Sequence, residues 1–134
     1  QKLAAAICYE DIFGEEVIES LPEATLLVNA TNNAWYGDSF APHQHLEMSR
    51  MRALETGRYM LRVTTNGVSA LIDERGRILR RSKQFTTEVI SGEAVPRQGM
   101  TPYILLGNWP AVTLFSLILL VTLGGSLRFR ATNP

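Results

Sequence analysis

The order of its apolar segments is the feature that most limits how this chain of 134 residues folds. A short apolar run, Lys2 to Cys8, is followed by a segment with helical spacing, Glu15 to Leu21. The same order repeats with the apolar run Leu26 to Ala30 and a helical segment from His43 to Thr56. Short apolar runs predict buried strands, and apolar residues three or four apart predict helices. We therefore expect an α/β fold in which helices cover a sheet.

The second half of this domain is predicted to be β-structure. Gly57 ends the second helix, whose inward residues are predicted to be Leu46, Ser49 or Arg50, Ala53 and Leu54. Two turn signals follow, Asn66-Gly67 and Asp73 to Gly76. The segments between and after these turns are candidate strands: Tyr59 to Thr64, Val68 to Ile72, Arg77 to Arg80 and Thr87 to Ile90.

A long stretch without charge follows this domain, between Arg97 and Arg128. Its apolar part covers residues 109–127, which is roughly 28 Å of helix and matches the apolar thickness of a bilayer. We therefore predict one C-terminal transmembrane helix in residues 105–134, preceded by a domain in residues 1–104. The basic residues after the helix predict a short cytoplasmic tail and place the domain in the periplasm of a bacterium. The alternative is a core helix of a soluble protein.

Charge and cysteine content exclude several other classes of protein. Thirteen basic and thirteen acidic residues balance, so overall charge predicts no nucleic-acid partner. One cysteine excludes a disulfide within the chain. The sequence begins at Gln1 and enters a predicted strand at once, so we expect it to be the back part of a longer protein.

Cys8 is the first candidate for chemistry because it stands where the first apolar run ends. A nucleophile at a strand end is held out of the sheet by a sharp turn, whose backbone N–H groups lie near the thiol. The alternative is a small buried apolar side chain. Glu10 lies two residues further along, and a lone carboxylate beside a thiol opposes thiolate formation. We interpret Glu10 as an orienting or binding group, with a solvated residue at a helix entry as the alternative.

Other candidate sites have weaker support. His43 and His45 permit a Cys–His pair with Cys8, but no protease signature surrounds the cysteine. The same residues are weak evidence for a metal site, and we expect no metal and no cofactor. The polar loop from Thr31 to Pro42 contains two large aromatic residues, Trp35 and Tyr36. They form either the wall of an apolar substrate pocket or a loop that packs on the core.

Six segments together give the chain a resemblance to a known family. The resemblance covers essentially the whole chain, and the order and spacing of these segments resemble those of the apolipoprotein N-acyltransferase family, the integral-membrane branch of the nitrilase superfamily. The segments are Ile7-Cys8-Tyr9-Glu10 with Gly14-Glu15, Thr31 to Gly37, His45 with Met51 to Glu55, Thr64 to Ala70, Gly99 to Tyr103, and Gly107 to Pro110.

This resemblance implies part of a nitrilase-like α-β-β-α sandwich and a Glu-Lys-Cys triad. It implies that Cys8 takes an acyl chain from a phospholipid as a thioester and passes it to the amine of a diacylglyceryl-cysteine lipoprotein. Tyr9 and Glu10 are then neighbouring residues of the active site, with the Tyr9 N–H as a candidate oxyanion donor. Trp35 and Tyr36 are the candidate lipid-binding residues. Asn33 departs from the aspartate expected at that position.

The triad implied by the resemblance is incomplete in this sequence. Its Glu and Lys precede the nucleophile in the family, and Lys2 lies on the strand that leads to Cys8. We therefore expect a membrane-bound fragment that is inactive alone. Two alternatives remain open: a membrane-anchored amidase of the same superfamily, and a non-catalytic membrane-anchored module.

Overall fold

The structure, a computed structural model, describes residues 1–132, with side-chain surroundings as far as residue 124. It contains nine regular helices and strands and two 3-10 turns in these described residues. The strands are β1 (Leu3–Ile7), β2 (Leu26–Asn32), β3 (Met60–Thr65), β4 (Ala70–Ile72) and β5 (Ile78–Arg81). The helices are α1 (Gly14–Glu19), α2 (Ala41–Thr56), α3 (Pro102–Leu106) and α4 (Trp109–Thr132), and the 3-10 turns are Cys8–Ile12 and Ala34–Tyr36.

The five strands form one mixed sheet in the order β1-β2-β3-β4-β5. The first three strands are parallel, and β4 and β5 continue the sheet antiparallel. Parallel neighbours need crossover connections, which α1 and α2 supply. Because β1 and β2 run in the same direction, the 3-10 turns that follow them lie at the same edge of the sheet. The predicted α/β layering is therefore confirmed.

One face of the sheet is covered by α1 and α2 and forms the core. Leu27, Met60 and Ile72 from the strands are at most 2% exposed, and they share a cluster with Leu46 and Ala53 of α2. This arrangement confirms the predicted inward positions of α2, with one exception. Leu54 was expected to face inward, but it is 49% exposed because it follows Ala53 around the helix and leaves the buried side.

The opposite face of the sheet is partly open. Leu3 and Ile7 are each 59% exposed, and Val63 is 57% exposed. The prediction of a fully buried first strand is therefore wrong for alternate residues of β1. The reason is that successive side chains of a strand point to opposite faces, and the helices cover only one of them.

The turn predictions in the β-rich half are confirmed, but one strand is not. Gly76 has φ 71° and its N–H donates to the carbonyl of Asp73 at 3.0 Å, which closes the hairpin between β4 and β5. The candidate strand Thr87 to Ile90 is irregular instead. Val89 there is 93% exposed, so this run gains no burial of that side chain to offset the entropy that ordering it as a strand would cost.

The charge-free stretch forms α4, which begins at Trp109 as predicted. Among the described residues, however, no helix is long and apolar enough to cross a membrane. The predicted transmembrane helix at residues 109–127 is corrected accordingly. The side-chain surroundings of this helix are described for residues 109–124. The end of the predicted span and the side chains of the basic tail, Arg128 and Arg130, lie outside that portion.

Candidate functional site

Cys8 is exposed and has an unusual backbone conformation. It begins the 3-10 turn Cys8–Ile12, which we call the Cys8 turn, directly after β1. Its φ of 55° lies in the left-handed region, which costs a residue with a side chain roughly 1–2 kcal/mol. Such conformations persist only where the surrounding structure holds them. The small-buried-residue interpretation of Cys8 is therefore wrong.

Glu10 is directed at the backbone of its own turn. Its carboxylate accepts a hydrogen bond from the Ile7 N–H at 2.6 Å, and its carbonyl accepts one from the Phe13 N–H at 3.1 Å. Both bonds tie the Cys8 turn to the chain before and after it. This geometry favours the orienting interpretation of Glu10 over the solvated one.

Tyr9 lies between the surface and the interior. It is 47% exposed, and its ring centroid lies 6.4 Å from that of Phe13 and 5.7 Å from that of His45. Tyr9 therefore covers the edge of a buried polar cluster beneath the Cys8 turn. The members of this cluster are Asp11, Asn29, His45, Ser49 and Arg62, each at most 3% exposed.

Asp11 is the centre of the buried polar cluster. Its carboxylate lies 2.7 Å from Nε2 of His45, accepts from the Ser49 hydroxyl at 2.5 Å, and lies 3.3 Å from Nη1 of Arg62. His45 also contacts Oδ1 of Asn33 through Nδ1 at 3.4 Å. Both ring nitrogens of His45 are thus engaged away from the thiol, which argues against the Cys–His pair.

Arg62 is a fully buried cation on β3. Its Nη1 donates to Oδ1 of Asn29 at 2.7 Å and to the Ser49 hydroxyl at 2.7 Å. Its Nε and Nη2 have no hydrogen-bond partner in the described part of the protein. Burial lowers the pKa of Arg62 from its ordinary value, while the negative charges of Asp11 and of an ionised Cys8 oppose that shift. The cluster therefore holds a cation within electrostatic range of the thiol.

Asn29 connects the buried polar cluster to the candidate nucleophile. Its Nδ2 donates to the carbonyl of Cys8 at 3.1 Å and to the carbonyl of Ala6 at 3.3 Å. Its Oδ1 accepts from Arg62. One side chain on β2 thus spans from a buried cation on β3 to the end of β1.

A second contact supports the other end of the Cys8 turn. Nη1 of Arg52 donates to the carbonyl of Ile12 at 3.0 Å, and Nη2 lies 2.7 Å from the carboxylate of Glu55. Arg52 and Glu55 lie three residues apart on α2 and form an ion pair. Burial raises the pKa of Glu55, and the charge of Arg52 opposes that shift. α2 thus holds the end of the turn through a half-buried ion pair.

Trp35 and Tyr36 lie in the 3-10 turn after β2, at the same sheet edge as Cys8. Trp35 is 87% exposed and Tyr36 is 39% exposed. The alternative in which this loop packs its aromatics on the core is wrong for Trp35. A large aromatic ring held open at this edge remains a candidate for contact with an apolar substrate.

Most of the buried polar cluster escaped the sequence analysis. From the sequence, His45 was predicted only as a possible base or metal ligand, and Ser49 only as an inward residue of α2. Asn29 and Arg62 occupy inward positions of strands, beside Leu27 and Met60. A polar residue on the buried side of an alternating strand is the signal that points to such a cluster. No group of three or more metal-ligating side chains occurs among the described residues.

The chain matches known proteins over most of its length. Residues 1–103 match the family described as carbon-nitrogen hydrolase. The chain is 55% identical over 127 residues to the apolipoprotein N-acyltransferase of Nitrosomonas europaea, which covers 95% of this chain and 25% of that protein. It is 57% identical over 112 residues to the apolipoprotein N-acyltransferase of Methylococcus capsulatus, which covers 84% of this chain and 22% of the relative.

The chain therefore spans about a quarter of the length of the curated relatives it matches. A solved structure shares its fold: Nit3 of Saccharomyces cerevisiae, a member of branch 10 of the nitrilase superfamily. The two superpose with a TM-score of 0.50 and 21% identity, over 61% of this chain and 33% of Nit3. The mixed sheet and its helices thus have the α/β fold of the nitrilase superfamily.

Proposed function

We propose that this chain, which belongs to the carbon-nitrogen hydrolase family, is the C-terminal portion of an apolipoprotein N-acyltransferase. In this proposal Cys8 is the nucleophile. Relatives with this name match most of the chain at about half identity. The single observation that carries the proposal is Cys8 itself: an exposed thiol in a left-handed conformation at the carboxyl edge of a parallel sheet. Strained residues of this kind cluster at active sites.

The proposed reaction has two acyl transfers. The Cys8 thiolate attacks the ester carbonyl of a phospholipid, and the C–O bond breaks to give a Cys8 thioester and a lysophospholipid that takes up a proton. The amine of a diacylglyceryl-cysteine lipoprotein then attacks the thioester. The C–S bond breaks, the amine loses a proton, and Cys8 is restored. The Tyr9 N–H is the proposed oxyanion donor, and Glu10 orients the turn.

The acid–base partners of this reaction are proposed to lie outside this sequence. Lys2 is at the opposite end of β1 from Cys8, and its Nζ lies 2.7 Å from the carboxylate of Glu23. It is thus unsuited to stabilise an oxyanion at Cys8. We propose that a Glu and a Lys from other parts of a longer protein complete the triad, and that this chain alone is inactive.

The open face of the sheet supports the same proposal. Leu3, Ile7 and Val63 expose apolar surface on the face that the helices leave uncovered. In an α-β-β-α sandwich that face packs on a second sheet, and the remaining three quarters of the proposed protein would supply it. Residues 1–104 are accordingly the C-terminal part of the catalytic domain.

Trp35 and Tyr36 are the proposed contacts for the phospholipid. Aromatic side chains with an apolar body and a polar tip suit the boundary between lipid and water. We place the reaction at the cell membrane of a bacterium, with the catalytic domain on the periplasmic side. An amidase of the same family is the second candidate function; its acyl donor is a small amide, whose C–N bond breaks to release an amine, and its acceptor is water.

The test uses the full-length protein that carries this sequence, together with the 134-residue chain. The longer protein is incubated with a fluorescent phospholipid and then with a diacylated lipopeptide. We expect a thioester on Cys8 that hydroxylamine releases, followed by amide formation on the lipopeptide, and no labelling of Cys8→Ser or of the 134-residue chain. If the full-length protein hydrolyses small amides and forms no Cys8 thioester when incubated with phospholipid, the amidase is favoured and the proposal is overturned.

A further inference from the structure

The left-handed conformation of Cys8 needs a restraint. The favoured backbone regions for a residue with a side chain lie at negative φ, so the Cys8 turn relaxes unless contacts hold it. Glu10 holds the amide of Ile7, and Arg52 holds the carbonyl of Ile12, but neither contacts Cys8. Among the described hydrogen bonds from side chains, the one to Cys8 comes from Asn29.

The carboxamide of Asn29 is the group that fits this position. Its Nδ2 has two hydrogens, and the carbonyls of Ala6 and Cys8 are both acceptors. Its Oδ1 faces Nη1 of Arg62, which is purely a donor. The partners therefore fix the orientation of the amide, because turning it over would place acceptors against acceptors and donors against a donor.

The buried Arg62 side chain holds the Oδ1 end of Asn29 through a hydrogen bond. The Arg62 side chain is fully buried, and Nη1 also contacts Asp11 and Ser49. Asn29 is itself 0% exposed. Both polar atoms of the Asn29 side chain are hydrogen-bonded, so it has few alternative rotamers. The Asn29 carboxamide thus links the Arg62 guanidinium to the backbone carbonyl of Cys8.

We propose that Asn29 is a positioning residue for Cys8, which couples the buried Arg62 to the Cys8 carbonyl and holds Cys8 in its left-handed conformation. The kinetic part of this inference rests on the proposed function, because the conformation of Cys8 affects the acylation rate only if its thiol attacks an ester. Its structural part, the restraint of Cys8 by Asn29, stands independently.

Asn29→Asp separates this role from general support of the fold. The new carboxylate keeps an acceptor for Arg62, but it turns acceptors toward the carbonyls of Cys8 and Ala6. Ser82→Ala is the control: the Ser82 hydroxyl, just after β5, accepts a part-buried hydrogen bond from the Ser69 N–H at 2.9 Å, and this variant loses that bond at the other end of the sheet from Cys8. Asn29→Ala is the second variant if Asn29→Asp does not fold.

The kinetic measurement uses the full-length protein and a fluorescent phospholipid. We expect Asn29→Asp to lower the rate constant for Cys8 acylation by on the order of tenfold to a hundredfold, because misplacement of a nucleophile has costs of this size. The KM for the phospholipid should change by no more than about twofold, since Asn29 is buried away from the lipid. Ser82→Ala should keep the acylation rate although it lowers Tm through the loss of its own hydrogen bond.

The structural measurement uses the 134-residue chain in detergent. The φ angle of Cys8, from its three-bond amide–α coupling together with the intraresidue amide–α NOE in NMR, should leave the left-handed region in Asn29→Asp and stay in Ser82→Ala. An unchanged φ in Asn29→Asp, an unchanged acylation rate, or equal rate losses in both variants would overturn the proposal. If the unmodified protein forms no thioester but φ shifts as expected, the proposed function fails and the positioning role stands.

Discussion

Arg62 and Asp11 form an ion pair at 3.3 Å, and both side chains are fully buried. They stand 51 residues apart in the chain, one on the third strand and one in the Cys8 turn. The two charges compensate each other, and His45, Ser49 and Asn29 give the pair further hydrogen bonds. This pair therefore connects the stability of the domain to the conformation of its candidate nucleophile.

Asp11→Asn should destabilise the chain strongly. Removing one partner leaves the Arg62 charge buried and uncompensated, which costs about 3–5 kcal/mol in the free energy of unfolding. Urea unfolding in mild detergent measures this, since α4 exposes apolar side chains. The control is Glu23→Gln, which breaks the ion pair between Lys2 and Glu23, both well exposed, and should change stability little. Equal losses in the two variants would contradict a special role for the buried pair.

Cys8→Gly should stabilise the fold while removing the proposed activity. Glycine adopts positive φ without the steric cost that a side chain imposes. The Cys8 side chain is exposed, so its removal forfeits little burial. We expect Cys8→Gly to be more stable than Cys8→Ala by about 1 kcal/mol, because alanine keeps the strain. Thermal unfolding of both variants measures this difference in stability, and a more stable alanine variant would show that the turn carries no strain.

Trp35→Ala should affect the substrate and not the fold. With 87% of Trp35 exposed, its loss should change the free energy of unfolding by no more than about 0.5 kcal/mol. If the ring contacts phospholipid, the KM for the phospholipid rises while the KM for the lipopeptide acceptor stays nearly constant. Steady-state kinetics of the full-length protein separate the two constants. Val89→Ala, also exposed but in the irregular segment after β5, is the control expected to change neither KM.

Asp73 should make stability depend on pH in the acid range. Burial raises the pKa of Asp73, but hydrogen bonds from the Arg77 and Arg75 backbone and the Arg77 side chain lower it more, so its pKa lies below the ordinary value. The carboxylate form is thus favoured in the folded state. Its stabilisation is present above the ordinary pKa of about 4 and is lost as pH falls through the lower folded value.

The measurement for Asp73 compares Tm of the unmodified chain and of Asp73→Asn over a pH series. The difference in Tm should be constant between about pH 5 and 7 and should shrink at lower pH as Asp73 is protonated. A difference that stays constant into strong acid would show that the carboxylate contributes no charge-dependent stabilisation.

The local elements of the fold were largely predictable because their signals are local. Alternation and helical spacing identified β1, β2 and α2 to within two residues, and the glycine of the turn at Asp73 to Gly76 indicated its hairpin. The failures share one cause. Leu54, Val89 and Ile7 are apolar and were expected in buried elements, but burial depends on which face a neighbouring element covers.

In the candidate site, too, the features that depend on adjacent residues were predictable and the long-range contacts were not. The position of Cys8 at a strand end, with Glu10 two residues beyond it, could be deduced from the sequence because a strand end and a turn involve a few adjacent residues. The link from Arg62 through Asn29 to Cys8 joins residues on two strands and in the turn that follows a third. It exists because two crossover helices lay these strands side by side in parallel. By itself, then, the sequence determined most of the elements and the position of the thiol at a strand end, while the tertiary structure decided that the thiol is exposed and which buried groups hold it in place.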